Sequence, residues 1–395
     1  MEEWFNIKNI SPGTQRNYRI SLRYFIKLIN KQPLELIEEA EKQEAENIIP
    51  RKRNVNKYLL KYKKFLYQSK LAPSTANLYF YSIRSFYKAF DISLIDIELN
   101  SGDIGLEKNI GKPLTRKEIY QLVNVAPPRE RALIYLMALS GMGQKEARNL
   151  TIRQLLYFAS SAIDKKLDNV FDLFRYEEEI LSEILTIEIT RSKSNIRHHT
   201  FLPPEATREI ITYLKERCYG RNKKIRIKNN DDTIFVNVSG KKLSRDSVVT
   251  NFRRLGLKAG FQRERNTYSF WRAHALRKYF ISIIINKTSS KIFADYMAGH
   301  KINKQDRTYW QVNPDDLKKH YLEVLPSLSL DQEKLKELKT MYSQKNLNNS
   351  KYEEIAALAH ELAEIKERFE ERNKLLDEIL TDPNLLKKIN DRNQE

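Results

Sequence analysis

Between residues 14 and 29 the apolar side chains fall at Tyr18, Leu22, Phe25, Ile26 and Ile29, every third or fourth position behind a Ser11-Pro12-Gly13 start. That period is one face of an α-helix, and it commits the beginning of the chain to helices packed on apolar stripes. The period returns at 55–67 through Tyr58, Leu59, Tyr62 and Phe65, and at 74–87, behind the breaker Pro73, through Leu78, Ile83, Phe86 and Tyr87. Residues 1–112 therefore read as a small helical bundle. Residues 100–113 are rich in turn formers and have no period, and Thr115 with Glu118 three positions on makes a capping box that opens a new helix and a second domain. Helical stretches follow at 117–124 and 129–139, whereas 185–190 and 200–202 flank a polar turn and predict a β-hairpin. From Tyr352 a seam of Ile355, Leu358, Leu362, Ile365, Phe369, Leu376 and Ile379, broken at Arg372, predicts a helical tail in need of a partner surface. The expected fold is mainly α with a small β-hairpin, in three parts: 1–112, 113–330 and 331–395.

At 395 residues the chain is long enough for two or three domains with self-sufficient cores. A single cysteine, Cys218, excludes a disulfide framework and a cysteine-rich metal site. The amino-terminal residues lack an apolar segment of signal-peptide length, and the run at 279–285, interrupted by Ser282, falls far short of the roughly 20 residues of a membrane span. A cytoplasmic protein is expected. Its formal charge is +19, while 41% hydrophobic and 10% aromatic residues exclude a disordered polycation. The charge is uneven: residues 1–112 carry +6, the tail from 331 carries −3, and the middle carries +16. A field of that sign attracts polyanions, of which nucleic acid is the commonest in a cell, although a solvated surface is the plainer alternative. In the first domain Arg16, Arg19, Arg51, Lys52, Arg53 and Lys61 lie on outer faces, placed to meet DNA phosphates or simply to keep the helices hydrated.

Four short passages of the middle domain gain meaning together: Thr190-Arg191-Ser192-Lys193, His274-Ala275-Leu276-Arg277, Gly299-His300 and Thr308-Tyr309. Separately each is common. Exchanging DNA strands without metal or nucleotide requires a nucleophile that keeps the phosphoryl group, cations for the non-bridging oxygens, and a proton for the leaving 5′ oxygen. A tyrosine meets the first need, because a phenolate leaves well enough for the step to reverse. His274 and Arg277, one helical turn apart, can reach one phosphate, and Lys193 on the hairpin can deliver a proton.

The order Lys, His-x-x-Arg, Gly-His, Tyr resembles the tyrosine recombinase (phage integrase) family. In that family the nucleophile follows the histidine of a Leu-Gly-His motif by nine residues, and here Ala298-Gly299-His300 is followed nine residues later by Tyr309. The resemblance covers about 113–330 as the catalytic domain, and residues 1–112 resemble the helical, SAM-like core-binding domain that precedes it. It implies Tyr309 as nucleophile forming a 3′-phosphotyrosyl link, His274, Arg277 and His300 on the phosphate, and Lys193 as general acid, with no cofactor, metal or ATP. It also implies double-stranded DNA held between the two domains, and a homotetramer on two DNA sites with a carboxy-terminal helix reaching a neighbour. The wording around Arg191, Phe201, Tyr309 and Leu317 is most similar to integrases of archaea and their mobile elements.

Two departures stand out. The family's first catalytic arginine falls on Gly143 in Ser140-Gly141-Met142-Gly143-Gln144-Lys145-Glu146, so one cationic role is vacant. Arg148 is the best replacement on the same helix, although five residues turn it about 140° away; Lys145 is a lesser candidate. The hairpin is about two residues longer than usual, which a turn holding Asn195, Arg197 and His198 explains, with Arg197 among the DNA contacts. His198 and His199 have no partners placed to make a metal site, and Tyr321 reads as core beside Leu317 and Leu325. The rivals to a recombinase are a type IB topoisomerase-like enzyme and a sequence-specific DNA-binding protein whose site is weakened by Gly143.

Overall fold

The computed structural model describes residues 1–69, 71–99, 112–191, 195–262, 269–303 and 313–331. The chain divides into two compact units, one comprising Met1–Lys112 with Gln262–Phe270, the other comprising Pro113–Phe261 and resuming at Trp271. Among the described residues no helix is long and apolar enough to cross a membrane.

The first unit is built from α1 (Glu2–Ile7), α2 (Pro12–Ile29), α3 (Pro33–Ala45), α4 (Asn54–Gln68) and α5 (Pro73–Ala89). Its core is aromatic, with Trp4, Phe25, Tyr62, Phe80, Phe86 and Tyr87 all buried. Prolines open α2, α3 and α5 at their first position, where the missing N–H costs nothing. Small residues let α2 and α5 approach: Ser82 Oγ donates to Ser21 Oγ at 2.6 Å, and Ser21 Oγ donates to the Tyr79 carbonyl at 2.8 Å. The three periodic stretches of the sequence are helices here. The additional helices α1 and α3 gave no such signal, since α1 spans fewer than two turns and α3 buries only Leu36, Ile37 and Ala40 among many glutamates.

The second unit begins with α6 (Arg116–Asn124), where Thr115 and Glu118 form the expected reciprocal cap. There follow α7 (Pro128–Ser140), α8 (Gln144–Asn149), α9 (Ile152–Ile163), α10 (Val170–Arg175) and α11 (Glu177–Leu181). The antiparallel hairpin is β1 (Leu185–Arg191) and β2 (Ile196–Leu202), and α12 (Pro204–Tyr219), α13 (Arg245–Lys258), α14 (Ala273–Thr288), α15 (Lys291–Met297) and α16 (Pro314–Leu328) complete the described elements. Helix α7 is apolar on every side, with Leu133 through Leu139 buried without a break, as a helix enclosed by neighbours must be. It packs against α12, α14 and β2 and forms the centre of the unit.

The hairpin corrects one expectation. Its register pairs Arg191 with Ile196, Thr190 with Arg197 and Ile189 with His198, so Arg197 and His198 are strand residues and the turn closes at Asn195. Asn195 takes a left-handed conformation at φ 52° and donates its N–H to the Arg191 carbonyl at 2.8 Å. Both strands continue until Arg191 and Ile196 face each other.

Candidate active site

A helix leaves its last carbonyls without partners inside the helix, and at α7 three side chains from different elements take them in order. Tyr321 Oη on α16 donates to the Leu139 carbonyl at 2.9 Å, Thr200 Oγ1 on β2 to Ser140 at 2.6 Å, and Arg277 Nη1 on α14 to Gly141 at 2.6 Å. Gly141 permits this: its φ of +67° is left-handed, and a Cβ there would strike the Phe280 ring. The turn leading to Gly143 is thereby fixed by hairpin and helices together, with the negative end of the α7 dipole facing the Arg277 guanidinium.

Arg277 also donates through Nη2 to the Ala298 carbonyl, and Arg191 Nη1 donates to the next carbonyl, Gly299, at 3.0 Å. Two guanidiniums thus hold successive carbonyls of the turn that delivers His300. Gly299 sits at φ +60° with the His198 imidazole packed on it; a Cβ would lie 2.5 Å from His198 Cε1. Arg277 is buried, and that burial, followed by the Arg191 charge, brings its pKa down to about 10 against the opposing pull of Glu146 and Asp295.

His300 is oriented by Asp295, whose Oδ1 lies 2.7 Å from Nδ1, while the His300 N–H donates to the Asp295 carbonyl at 2.8 Å. Partial burial, then the Arg277 and Arg191 charges, outweigh Asp295 and hold the ring below the ordinary histidine pKa. A neutral ring whose Nδ1–H faces a carboxylate leaves Nε2 as an acceptor. His274, at the start of α14 and facing solvent, is depressed by desolvation and then by Arg272, Lys278, Arg277 and His300. His274, Arg277 and His300 therefore share one electrostatic neighbourhood, in which burial and the nearby cations disfavour the charged form of both imidazoles.

The other sequence candidates distribute as follows. Tyr309 and Lys193 lie outside the described residues. Arg148 is turned elsewhere, with Nη1 donating to the Leu243 carbonyl at 3.0 Å and its guanidinium depressed by burial and then by Arg245; the vacancy at Gly143 is not met from that side. Lys145 is exposed. The Gly143 position itself is taken by the Glu146 carboxylate, with which a Cβ there would collide. In the first unit Arg16, Arg51, Lys52 and Lys61 are exposed, whereas Arg19 pairs with Glu2 at 3.0 Å and Arg53 pairs with Glu44 and donates to the Ile48 carbonyl. Arg197 is held by Glu188 on the facing strand. His198 is buried and its pKa pushed down to about 4, first by desolvation, and His199 Nδ1 lies 2.9 Å from Tyr296 Oη. Among the described residues no cluster of three or more His, Cys, Asp or Glu is placed to hold a metal. Tyr321 is fully buried, as the core reading expects.

Sequence reasoning passed over two residues. Asp295 had no signal beyond lying five positions before His300. Arg191 did have one: it continues the inward phase of β1 after Ile187 and Ile189, an odd place for a charge.

No curated protein matches the chain. Solved structures similar to it include a XerA recombinase (19% identity, TM-score 0.35, covering 81% of this chain and 97% of that one). Others are a lambda integrase dimer bound to a COC′ core site (15%, 0.49, 79% and 98%) and the Tn1549 transposon integrase in complex with transposon right end DNA (13%, 0.47, 80% and 95%). The model of the phage integrase family matches residues 112–315, more than half of the sequence, including Arg191, His274, Arg277, Asp295 and His300. On that match, the chain belongs to the phage integrase family.

Proposed function

We propose that this tyrosine-type site-specific recombinase cleaves one DNA strand per protomer through Tyr309 and rejoins it to the exchanged partner strand. The Tyr309 oxygen attacks phosphorus, the bond from phosphorus to the 5′ oxygen breaks, and a 3′-phosphotyrosyl link holds the strand until a new 5′ hydroxyl reverses the step. Arg277 stabilises the non-bridging oxygens with the N–H groups its carbonyl bonds leave over, and His274 adds a contact from the exposed start of α14. The His300 Nε2, left as an acceptor by Asp295, takes the phenol proton, and Lys193 gives one to the departing 5′ oxygen. The observation that supports this reading is the meeting of Arg277 and His300 at one turn, with His300 oriented by Asp295 and His274 within electrostatic reach of both.

Double-stranded DNA is the substrate, and a homotetramer on two sites is the assembly the family membership supports. The domain division 1–112, 113–330 and 331–395 gives the exposed Arg16, Arg51, Lys52 and Lys61 the task of phosphate contact in a core-binding domain. The wording of the hairpin and tyrosine segments supports an integrase of an archaeal mobile element, working in the cytoplasm where its DNA lies.

The test uses the full chain and a duplex recovered by selection from a random pool, nicked so that the cleaved end is lost. Wild type accumulates a covalent adduct and Tyr309→Phe forms none, while two intact sites give recombinant product. Adduct with relaxation but no two-site product supports a topoisomerase instead. Selected binding without any adduct supports a DNA-binding protein disabled by Gly143.

A further inference from the structure

The vacancy at Gly143 removes a cation that the proposed cleavage needs, and neither Arg148, turned to Leu243, nor the exposed Lys145 fills it. Yet the cluster does contain a second guanidinium. Arg191 is the last residue of β1, on the face that Ile187 and Ile189 turn toward the core, and it is partly buried. Its Nη1 holds the Gly299 carbonyl at 3.0 Å, one residue along from the Ala298 carbonyl held by Arg277. Holding neighbouring carbonyls brings the two guanidiniums to one turn, close enough for the Arg191 charge to act on Arg277 and for both to act on His300.

Like charges are costly to hold together in a partly desolvated site unless an anion joins them. Here the bonds fixing both groups run to carbonyl oxygens, which orient a guanidinium without neutralising it. The nearest carboxylates, Glu146 and Asp295, act on Arg277 through space, but among the described residues neither forms an ion pair with Arg277 or Arg191, and Asp295 turns its Oδ1 to His300 Nδ1. Each arginine has five N–H donors and spends one or two on carbonyls, so both keep donors for oxygen atoms arriving between them. The geometry suits a group with two anionic oxygens on one centre, which is a phosphodiester.

We infer that Arg191, reaching in from the hairpin, supplies the second phosphate-binding guanidinium in place of the arginine missing at Gly143. This rests on the cleavage chemistry proposed above and makes Arg191 a catalytic residue that touches the scissile phosphate. The candidate acid Lys193 follows Arg191 by two positions in the sequence.

The test compares Arg191→Ala and Arg191→Lys with wild type on two nicked duplexes carrying the selected site, one with a normal scissile phosphodiester and one with a methylphosphonate there. A methylphosphonate lacks one of the charges that the guanidiniums are to stabilise. On the phosphodiester, Arg191→Ala slows adduct formation about a hundredfold or more, the scale for losing one such donor. On the methylphosphonate the deficit shrinks to less than about tenfold, because the charge Arg191 serves is gone. Arg191→Lys, which keeps a donor for Gly299 but no fork, gives the same pattern in a chain that still folds. An equal deficit on both duplexes, or no deficit on either, overturns the inference and leaves Arg191 as a brace for Gly299. Wild type forming no adduct on the phosphodiester instead defeats the cleavage reading itself.

Discussion

At the scale of single residues, Gly299 carries two separate demands, a left-handed φ and the face of His198 against its Cα. Gly299→Ala is expected to cost about 2 kcal/mol or more, of which roughly 1 belongs to the backbone conformation. The rest belongs to the collision, so in a urea titration His198→Ala should recover part of the loss and leave the conformational share. Full additivity of the two substitutions would show that the contact has no weight. Asp295 offers a second check. With Asp295→Ala, His300 loses the partner that fixes its tautomer, and adduct formation should fall about tenfold or more with little change in DNA affinity. A parallel loss of binding would make Asp295 structural.

At the scale of elements, the hairpin couples folding to pH. His198 is buried neutral with its pKa near 4. Between the unfolded value of about 6.5 and that pH, the unfolded chain binds a proton that the folded ring refuses, so stability falls as pH falls, by about 3 kcal/mol at full extent. Glu205 works in the other direction. Desolvation pushes its pKa up to about 7 where it accepts the Leu330 and Asp331 N–H groups at 3.1 Å, so the folded state holds a proton that the unfolded one releases. Stability from Glu205 therefore rises as pH falls. Denaturant titrations at pH 7 and 4.5 should show His198→Phe less acid-sensitive than wild type and Glu205→Gln more so. Identical slopes in all three would contradict the assignment. These elements also show what the sequence made legible. Helices α2, α4 and α5 bury a single stripe, which a three-four period reports directly, and α6 announces itself by Thr115 and Glu118. Strand β2 begins Ile196-Arg197-His198-His199, polar enough to pass for a turn, because what buries His198 is a glycine about a hundred positions away. Likewise residue type and spacing singled out His274, Arg277 and His300 as candidates. Arg191 was not assigned, since its value lies in which carbonyl it holds, a property of the packed turn.

At the scale of the molecule, the charge of +19 sits mainly on residues 113–330. Neutralising DNA phosphates releases counterions, so affinity for the selected duplex should fall by about a thousandfold or more between 50 and 200 mM salt. Fluorescence anisotropy across that range reads the slope directly, and Lys61→Ala should make it shallower by about one unit if that lysine meets a phosphate. A slope insensitive to the exposed cations of the first unit would deny them a role in binding.

Cleavage as proposed requires that one phenol oxygen, that of Tyr309, becomes bonded to DNA phosphorus. The direct measurement is to trap wild-type chain on the nicked duplex, digest both partners and locate the modified peptide by mass spectrometry. The prediction is a nucleotide attached through its 3′ phosphate to Tyr309, with no attachment in Tyr309→Phe. A nucleotide on another residue, or a linkage through a 5′ phosphate, would contradict it.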